Sequence, residues 1–336
     1  MRTARTPRRR ARRAVAFALA ALASVLALEL CGRVYDALHF RYRRRMLWEV
    51  QRSLVEDERL GFTWRPGITW AEERSFPWLD HAVEPMSTDE WGFRNHPDAI
   101  EARRAGAPID VLGLGDSFVE DAAYLFHEEL ARDGLRYYGL AICRHAPPQY
   151  NRALQGHGLA LHPRNVVYAV FENDAVETRD FEAWEASGSG WFDYHSGSWA
   201  GPARLGWRSW FPGIHRLRTR VLGPESEPSS PSPAEGAASV AGYVRDARRA
   251  AREAGAGFLL VLVPSRETVL AGDTPGSAFH DALLERLRED GVRTLDLRLL
   301  FRSSAEPAAL YYEQDTHWNA AGMRLGLEAI RGALGE

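Results

Sequence analysis

The sequence predicts an α/β protein built on a parallel sheet, and three observations carry that prediction. From residue 109 onward, short apolar runs of strand length alternate with stretches of helical spacing, the pattern of strands joined by crossover helices. There are five such runs, at 109–114, 135–142, 165–171, 257–263 and 292–297. The runs at 165–171 and 257–263 are almost wholly apolar rather than alternating, as strands covered on both faces must be. The helical stretches lie at 118–132, 148–160, 237–254, 277–290 and 319–334, which gives each strand a crossover of the usual right-handed kind.

The chain has 336 residues, 45% of them hydrophobic and 26% charged, enough for one sizeable globular domain with additions. Its net charge of −3 is unevenly spread. Residues 1–45 hold 12 Arg against Glu29 and Asp36, a balance of +10 that leaves −13 for the rest. The body is therefore acidic and a poor match for nucleic acid. Every basic residue is Arg, which reads as coding bias. Cys31 and Cys143 are too far apart in sequence to form a zinc pattern.

Residues 1–13 form a basic tail expected in the cytoplasm, and 14–34 form an apolar segment of about the 20 residues that span a bilayer. Leu28-Glu29-Leu30-Cys31 offers neither a small-x-small cleavage site nor a lipid-attachment box. An uncleaved signal-anchor is expected, preceded by seven Arg and followed by Arg41, Arg43, Arg44 and Arg45. That balance keeps the N-terminus cytoplasmic and puts the body outside the inner membrane, in the periplasm.

Residues 35–108 read as a juxtamembrane helix (46–57) and an irregular lead-in rich in Pro and Trp, and 109–336 as the main domain. Within it, 175–236 lack periodicity. They hold five of the 11 Trp and end in a Pro/Ser-rich linker, so an insertion is expected there. His195 and His215 in the insertion are isolated and receive no metal role.

Ser117 follows the first strand in Gly115-Asp116-Ser117, at the sheet edge where open α/β folds place ligands. Alone, the tripeptide reads as a capping turn. Asp315-Thr316-His317, after the fifth strand, supplies an imidazole to accept the Ser117 proton and a carboxylate to orient it. The plainer reading is an Asp cap and a surface His. Asn173 ends the third strand on the same edge, where its amide can donate to an oxyanion or simply form an Asn-Asp turn.

Taken together, Gly115-Asp116-Ser117, Asn173 in Phe-Glu-Asn-Asp, and Asp315-Thr-His317-Trp-Asn-Ala-Ala-Gly322 resemble the SGNH, or GDSL-type, hydrolase superfamily over about residues 87–334. The Asp-Thr-His-Trp form looks like the branch related to alginate O-acetyltransferases. Ser87-Thr-Asp-Glu-Trp-Gly-Phe-Arg94 is similar to a segment preceding the nucleophile strand in membrane-anchored bacterial members. The resemblance implies a three-layer sandwich around a five-stranded, flavodoxin-like parallel sheet. It also implies a Ser117–His317–Asp315 triad and an oxyanion hole from the N–H of Ser117, the amide of Asn173 and a second-block N–H. The glycine usual in that second block falls at Arg144, whose backbone N–H would serve, with Gly139 as an alternative alignment. The implied activity is hydrolysis or transfer of acyl groups, acetyl foremost, on carbohydrate or a small ester, without cofactor, alongside envelope polysaccharide machinery. Two other readings stand beside it. One is a degenerate scaffold that binds glycan without turnover. The other is nucleotide binding through Gly113-Leu-Gly115, which lacks the third glycine because Phe118 stands there.

Overall fold

The computed structural model describes residues 12–31, 34, 54–70, 74–75, 82–83, 86–188, 230–313 and 316–335. The chain divides into two compact units, one of Met1–Gln51 with His195–Ser229, the other of Arg52–Tyr194 with Ser230–Glu336. In the first, helix α1 (Arg12–Cys31) has 20 residues and is long and apolar enough to cross a membrane, properties it shares with signal sequences.

The second unit is organised by five parallel strands, β7 (Val111–Gly115), β8 (Tyr137–Ala141), β9 (Asn165–Phe171), β10 (Gly257–Val263) and β11 (Thr294–Asp296). Their spatial order is β11-β10-β9-β7-β8. Counted from the first strand this is 2-1-3-4-5, the flavodoxin-like order, whose direction reverses between β7 and β9. Helix α3 (Ser117–Ala131) packs with α10 (Ala320–Gly335) on one face; α4 (Pro147–Ala153) and α6 (Pro233–Glu253) cover the other, and α8 (Pro275–Leu287) packs on α6. The expected three layers and five strands are thus observed.

Alternation along each strand explains the continuous apolar runs. Val111, Val167, Leu259, Val261 and Val263 meet Met323, Leu327 and Ile330 of α10 in one core. Their neighbours Leu112, Leu114, Val166, Val170, Leu260 and Leu262 point to the opposite face and are equally buried. At about 1.5–3 kcal/mol for each fully buried aliphatic side chain, both faces must be covered for the sheet to persist.

Where it is described, the lead-in is a series of short strands followed by one helix. The 46–57 helix expected from spacing is corrected at its end: β1 (Leu54–Asp57) pairs antiparallel with β2 (Gly61–Trp64), while 46–53 lie outside the described residues. The Asp57 carboxylate accepts from the N–H of Arg59 and Leu60 at 2.9 and 2.7 Å, a local turn that competes with helix and reverses the chain. Short pairs follow, β3 (Thr69–Trp70) with β6 (Met86–Ser87) and β4 (Arg74–Ser75) with β5 (Ala82–Val83).

The segment 88–95 is then locked by its own polar groups. Asp89 accepts from the N–H of Trp91 and Phe93 (2.9 and 2.8 Å) and from the hydroxyl of Tyr138 (2.5 Å). Asn95 mimics a strand residue against the edge strand β8, donating to the Gly139 carbonyl (2.9 Å) and accepting its N–H (2.8 Å). Gly92 has φ +84°, and a Cβ there would lie 2.2 Å from the Trp64 carbonyl oxygen, so no other residue fits. Helix α2 (Pro97–Arg104), capped by His96, leads into β7.

After β9 the chain enters α5 (Asp174–Ser187), a helix inside the stretch expected to be irregular. Its polar, weakly periodic sequence hides it: only four of its residues, Asp174, Ala175, Thr178 and Phe181, are buried. Residues 189–229, with His195, His215 and most of the Trp-rich stretch, lie outside the described residues. Two short helices were also not legible, α7 (Arg266–Ala271) and α9 (Leu297–Arg302).

Candidate active site

Register determines what meets at the upper edge of the sheet. Gly115 of β7 lies level with Ala141 of β8, and Leu114 level with Tyr168 of β9. Ser117, Arg144 and Asn173 therefore leave three adjacent strands within a few residues of their C-terminal ends, around the β7–β9 reversal.

Ser117 is the first residue of α3. Asp116 caps the helix, its carboxylate accepting from the Phe118 N–H at 3.1 Å. Gly115 permits the turn, since a Cβ there would sit 2.4 Å from Val119 Cγ2. That close packing, rather than phosphate binding, accounts for the glycine in Gly113-Leu-Gly115.

His317 reaches Ser117 from 200 residues away, with Nε2 2.7 Å from Oγ. Several contacts fix it there. The His317 carbonyl accepts from the Tyr312 N–H (3.1 Å), and Tyr311 bridges to Trp318. Trp318, fully buried, donates its indole N–H to the Phe118 carbonyl at 3.1 Å. The imidazole stacks on the Phe118 ring, centroids 4.5 Å apart. Asn319 donates to the carbonyls of Ala309 and Tyr311 (2.9 and 3.1 Å) and accepts the Ala321 N–H (2.9 Å), starting α10. Asp315 lies outside the described residues.

Arg144 has φ +69°, one of two non-glycine residues in the left-handed region among those described. The position a glycine was expected to occupy thus has the backbone conformation glycine favours. Its guanidinium Nε lies 3.9 Å from Glu177 Oε1 on α5. Gly139 is placed differently. It lies inside β8 with its N–H given to Asn95, so the alternative alignment supplies no donor to this edge. Asn173 is the N-cap of α5, half-buried, and its side-chain oxygen is buried without a hydrogen-bond partner.

The floor beneath is unusually acidic. Burial pushes the Asp116 carboxyl up to about 6, partly opposed by the Phe118 N–H and the neighbouring His317. Glu177 is pushed up to about 8, by burial and then by the Asp116 charge, with Arg144 opposing. Asp174, fully buried, is also raised by burial; it accepts from the Tyr150 hydroxyl (2.8 Å) and the Phe171 N–H (2.9 Å). One oxygen each of Asp116 and Glu177 is buried with no hydrogen-bond partner. Nearby, Glu120 is 3% exposed on the first turn of α3. Glu120 and Glu177 were not singled out from sequence, because a Glu on a helix reads as a solvated face until packing is known. The one cue was Glu120, on an otherwise apolar turn after Ser117.

Among the described residues, one cluster has metal-ligand composition: His96, Asp98 and His127, with donor atoms within 4.8 Å of one another. The His96 and His127 rings are stacked at 4.4 Å and 14°. Their in-plane lone pairs therefore run side by side instead of converging on one point, and the His96 Nδ1 already accepts the Asp98 N–H at 3.1 Å.

The parallel sheet in this order, with Ser117 and His317 paired above it, has the architecture of the SGNH hydrolases. Residues 225–335 match the family model described as the SGNH hydrolase-like domain of acetyltransferase AlgX, a span that includes His317 but not Ser117. Over that span the chain resembles the SGNH hydrolase-like domain of AlgX. Among solved structures it is similar to an acetyl xylan esterase, AlAXEase (14% identity, 67% of this chain and 100% of that one, TM-score 0.42). It is also similar to a lipase/acylhydrolase from Enterococcus faecalis (13% identity, 68% and 96%, TM-score 0.40) and a GDSL-like lipase from Bacteroides thetaiotaomicron (13% identity, 71% and 97%, TM-score 0.40). No curated protein shows a significant match to the chain.

Proposed function

We propose that the chain is a serine esterase or O-acyltransferase that removes or transfers acyl groups, acetyl foremost, on carbohydrate outside the cytoplasm. The observation that carries this reading is the 2.7 Å contact between Ser117 Oγ and His317 Nε2. His317 takes the hydroxyl proton as Ser117 attacks the ester carbonyl, and returns it to the departing alcohol. Asp315, two residues before His317 in sequence, orients the imidazole. The N–H groups of Ser117 and Arg144 and the Asn173 amide hold the oxyanion, each donor being worth about 3–4 kcal/mol in the transition state. The acyl-enzyme then passes its acyl group to water or to a sugar hydroxyl.

The match to an acetyltransferase domain supports the acetyl assignment. Helix α1, with seven Arg among residues 1–13, supports a single-pass inner-membrane anchor with the catalytic unit in the periplasm, near envelope polysaccharide machinery. The test is turnover of p-nitrophenyl acetate by the full-length protein in detergent. Ser117→Ala should lower kcat/KM at least ~10³-fold, and an unchanged rate would rule the assignment out. A second reading, a glycan-binding scaffold without turnover, is motivated by the arginine that stands at position 144 in place of glycine. It predicts saccharide binding with no reaction at Ser117.

A further inference from the structure

We infer that Glu120 is a positioning residue for the oxyanion loop, its carboxylate holding the Cys143 backbone N–H beside Arg144 and tying that loop to the β1–β2 hairpin. This rests on the proposed active site. One carboxylate oxygen accepts the indole N–H of Trp64 at 2.6 Å, and the other accepts the Cys143 N–H. Glu120 lies one helical turn past Ser117, so a single turn of α3 carries the proposed nucleophile and the group that sets the proposed oxyanion donor.

The loop has further anchors: the Tyr150 hydroxyl donates to the His145 carbonyl at 2.9 Å and the His145 N–H to the Ile142 carbonyl at 3.0 Å. His145 Nε2 lies 3.0 Å from the Phe62 carbonyl, and the Gln149 amide donates to the Leu60 carbonyl at 2.7 Å, both to the same hairpin. Arg144 sits between two of these attachments in a backbone conformation that costs about 1–2 kcal/mol for a non-glycine residue. A left-handed residue persists only where its neighbours over-determine it, and the Cys143 bond does so on the N-terminal side.

The same carboxylate makes the geometry pH-dependent. Only the ionised form offers both oxygens as acceptors; protonation turns one into a donor facing another donor. Burial, then the charge of Asp121, pushes Glu120 up to about 7; Arg94, the Cys143 N–H and Trp64 oppose. Arg94 also pairs with Asp121 at 3.1 Å, and the Cys143 thiol facing Glu120 is held neutral by burial. As pH falls through about 7, the loop loses this anchor and kcat falls with it.

The test compares wild type, Glu120→Gln and Ser117→Ala as full-length proteins in detergent, by ester kinetics across pH 5.5–9 and by hydrogen exchange at the Cys143 amide. Glutamine keeps the shape but has one acceptor instead of two. Glu120→Gln should lower kcat about 10–100-fold with KM within about twofold, and remove the Glu120 contribution to the acid limb. Exchange at Cys143 should quicken at least ~10-fold. Wild-type kcat and pH profile in Glu120→Gln, with Ser117→Ala inactive, would overturn the positioning role and leave the active site standing. Turnover in Ser117→Ala would instead remove the active site. Unchanged Cys143 protection in Glu120→Gln would overturn the anchor whatever the kinetics.

Discussion

At the scale of single residues, Ser117 and His317 were legible because their chemistry is scarce and their positions follow strands. A hydroxyl after the first strand and an imidazole after the last are brought together by topology alone, and the 2.7 Å contact follows. Asn173 was legible for the same reason. Arg144 was legible as a departure: the residue type argued against a left-handed turn, yet φ is +69°. Replacing it with glycine should therefore raise stability by about 1 kcal/mol and retain esterase activity, measured by urea denaturation and ester kinetics. Arg144→Val, β-branched at positive φ, should lower both. Glu120 and Glu177 were not legible as site residues, because nothing in a sequence separates a buried carboxylate on a helix from a solvated one.

At the scale of elements, β9 and β10 were read to the residue because burial on both faces leaves few polar positions to blur them, while β7, β8 and β11 came out within two residues of their bounds. Helix α5 was missed because only one thin stripe of it is buried, and the β1–β2 hairpin because its turn is set by Asp57 rather than by Gly-Asn or Pro. The block from Ser87 to Arg94 was noticed by resemblance; its physical basis is a network centred on Asp89, Gly92 and Asn95. Asn95→Ala removes two bonds to β8 and leaves a buried N–H and carbonyl unmatched, which should cost about 2–4 kcal/mol in urea denaturation. Gly92→Ala should cost at least about 2 kcal/mol, since both backbone angle and space forbid the methyl group.

At the scale of the molecule, the buried acids set the pH response. The Glu177 carboxyl titrates near 8 in the fold against an ordinary 4.5. The native state therefore binds more protons, and its stability falls as pH rises from about 4.5 to 8. His280, held down to about 3 by burial and then by Arg298, acts in the opposite sense, costing stability as pH falls below about 6.5. Glu177→Gln should flatten the decline of thermal stability between about pH 4.5 and 8; an unaltered decline would contradict this origin. The same acids, with the −13 charge of residues 46–336, leave Arg144 as a cation over an acidic floor.

The central claim is that His317 activates Ser117 as a nucleophile. The most direct measurement is covalent trapping of the full-length protein with a fluorophosphonate, with the adduct located by mass spectrometry in wild type and His317→Ala. The account predicts one adduct on Ser117 in wild type and at least ~10²-fold slower labelling without the imidazole. No adduct at Ser117, or labelling indifferent to His317, would contradict it.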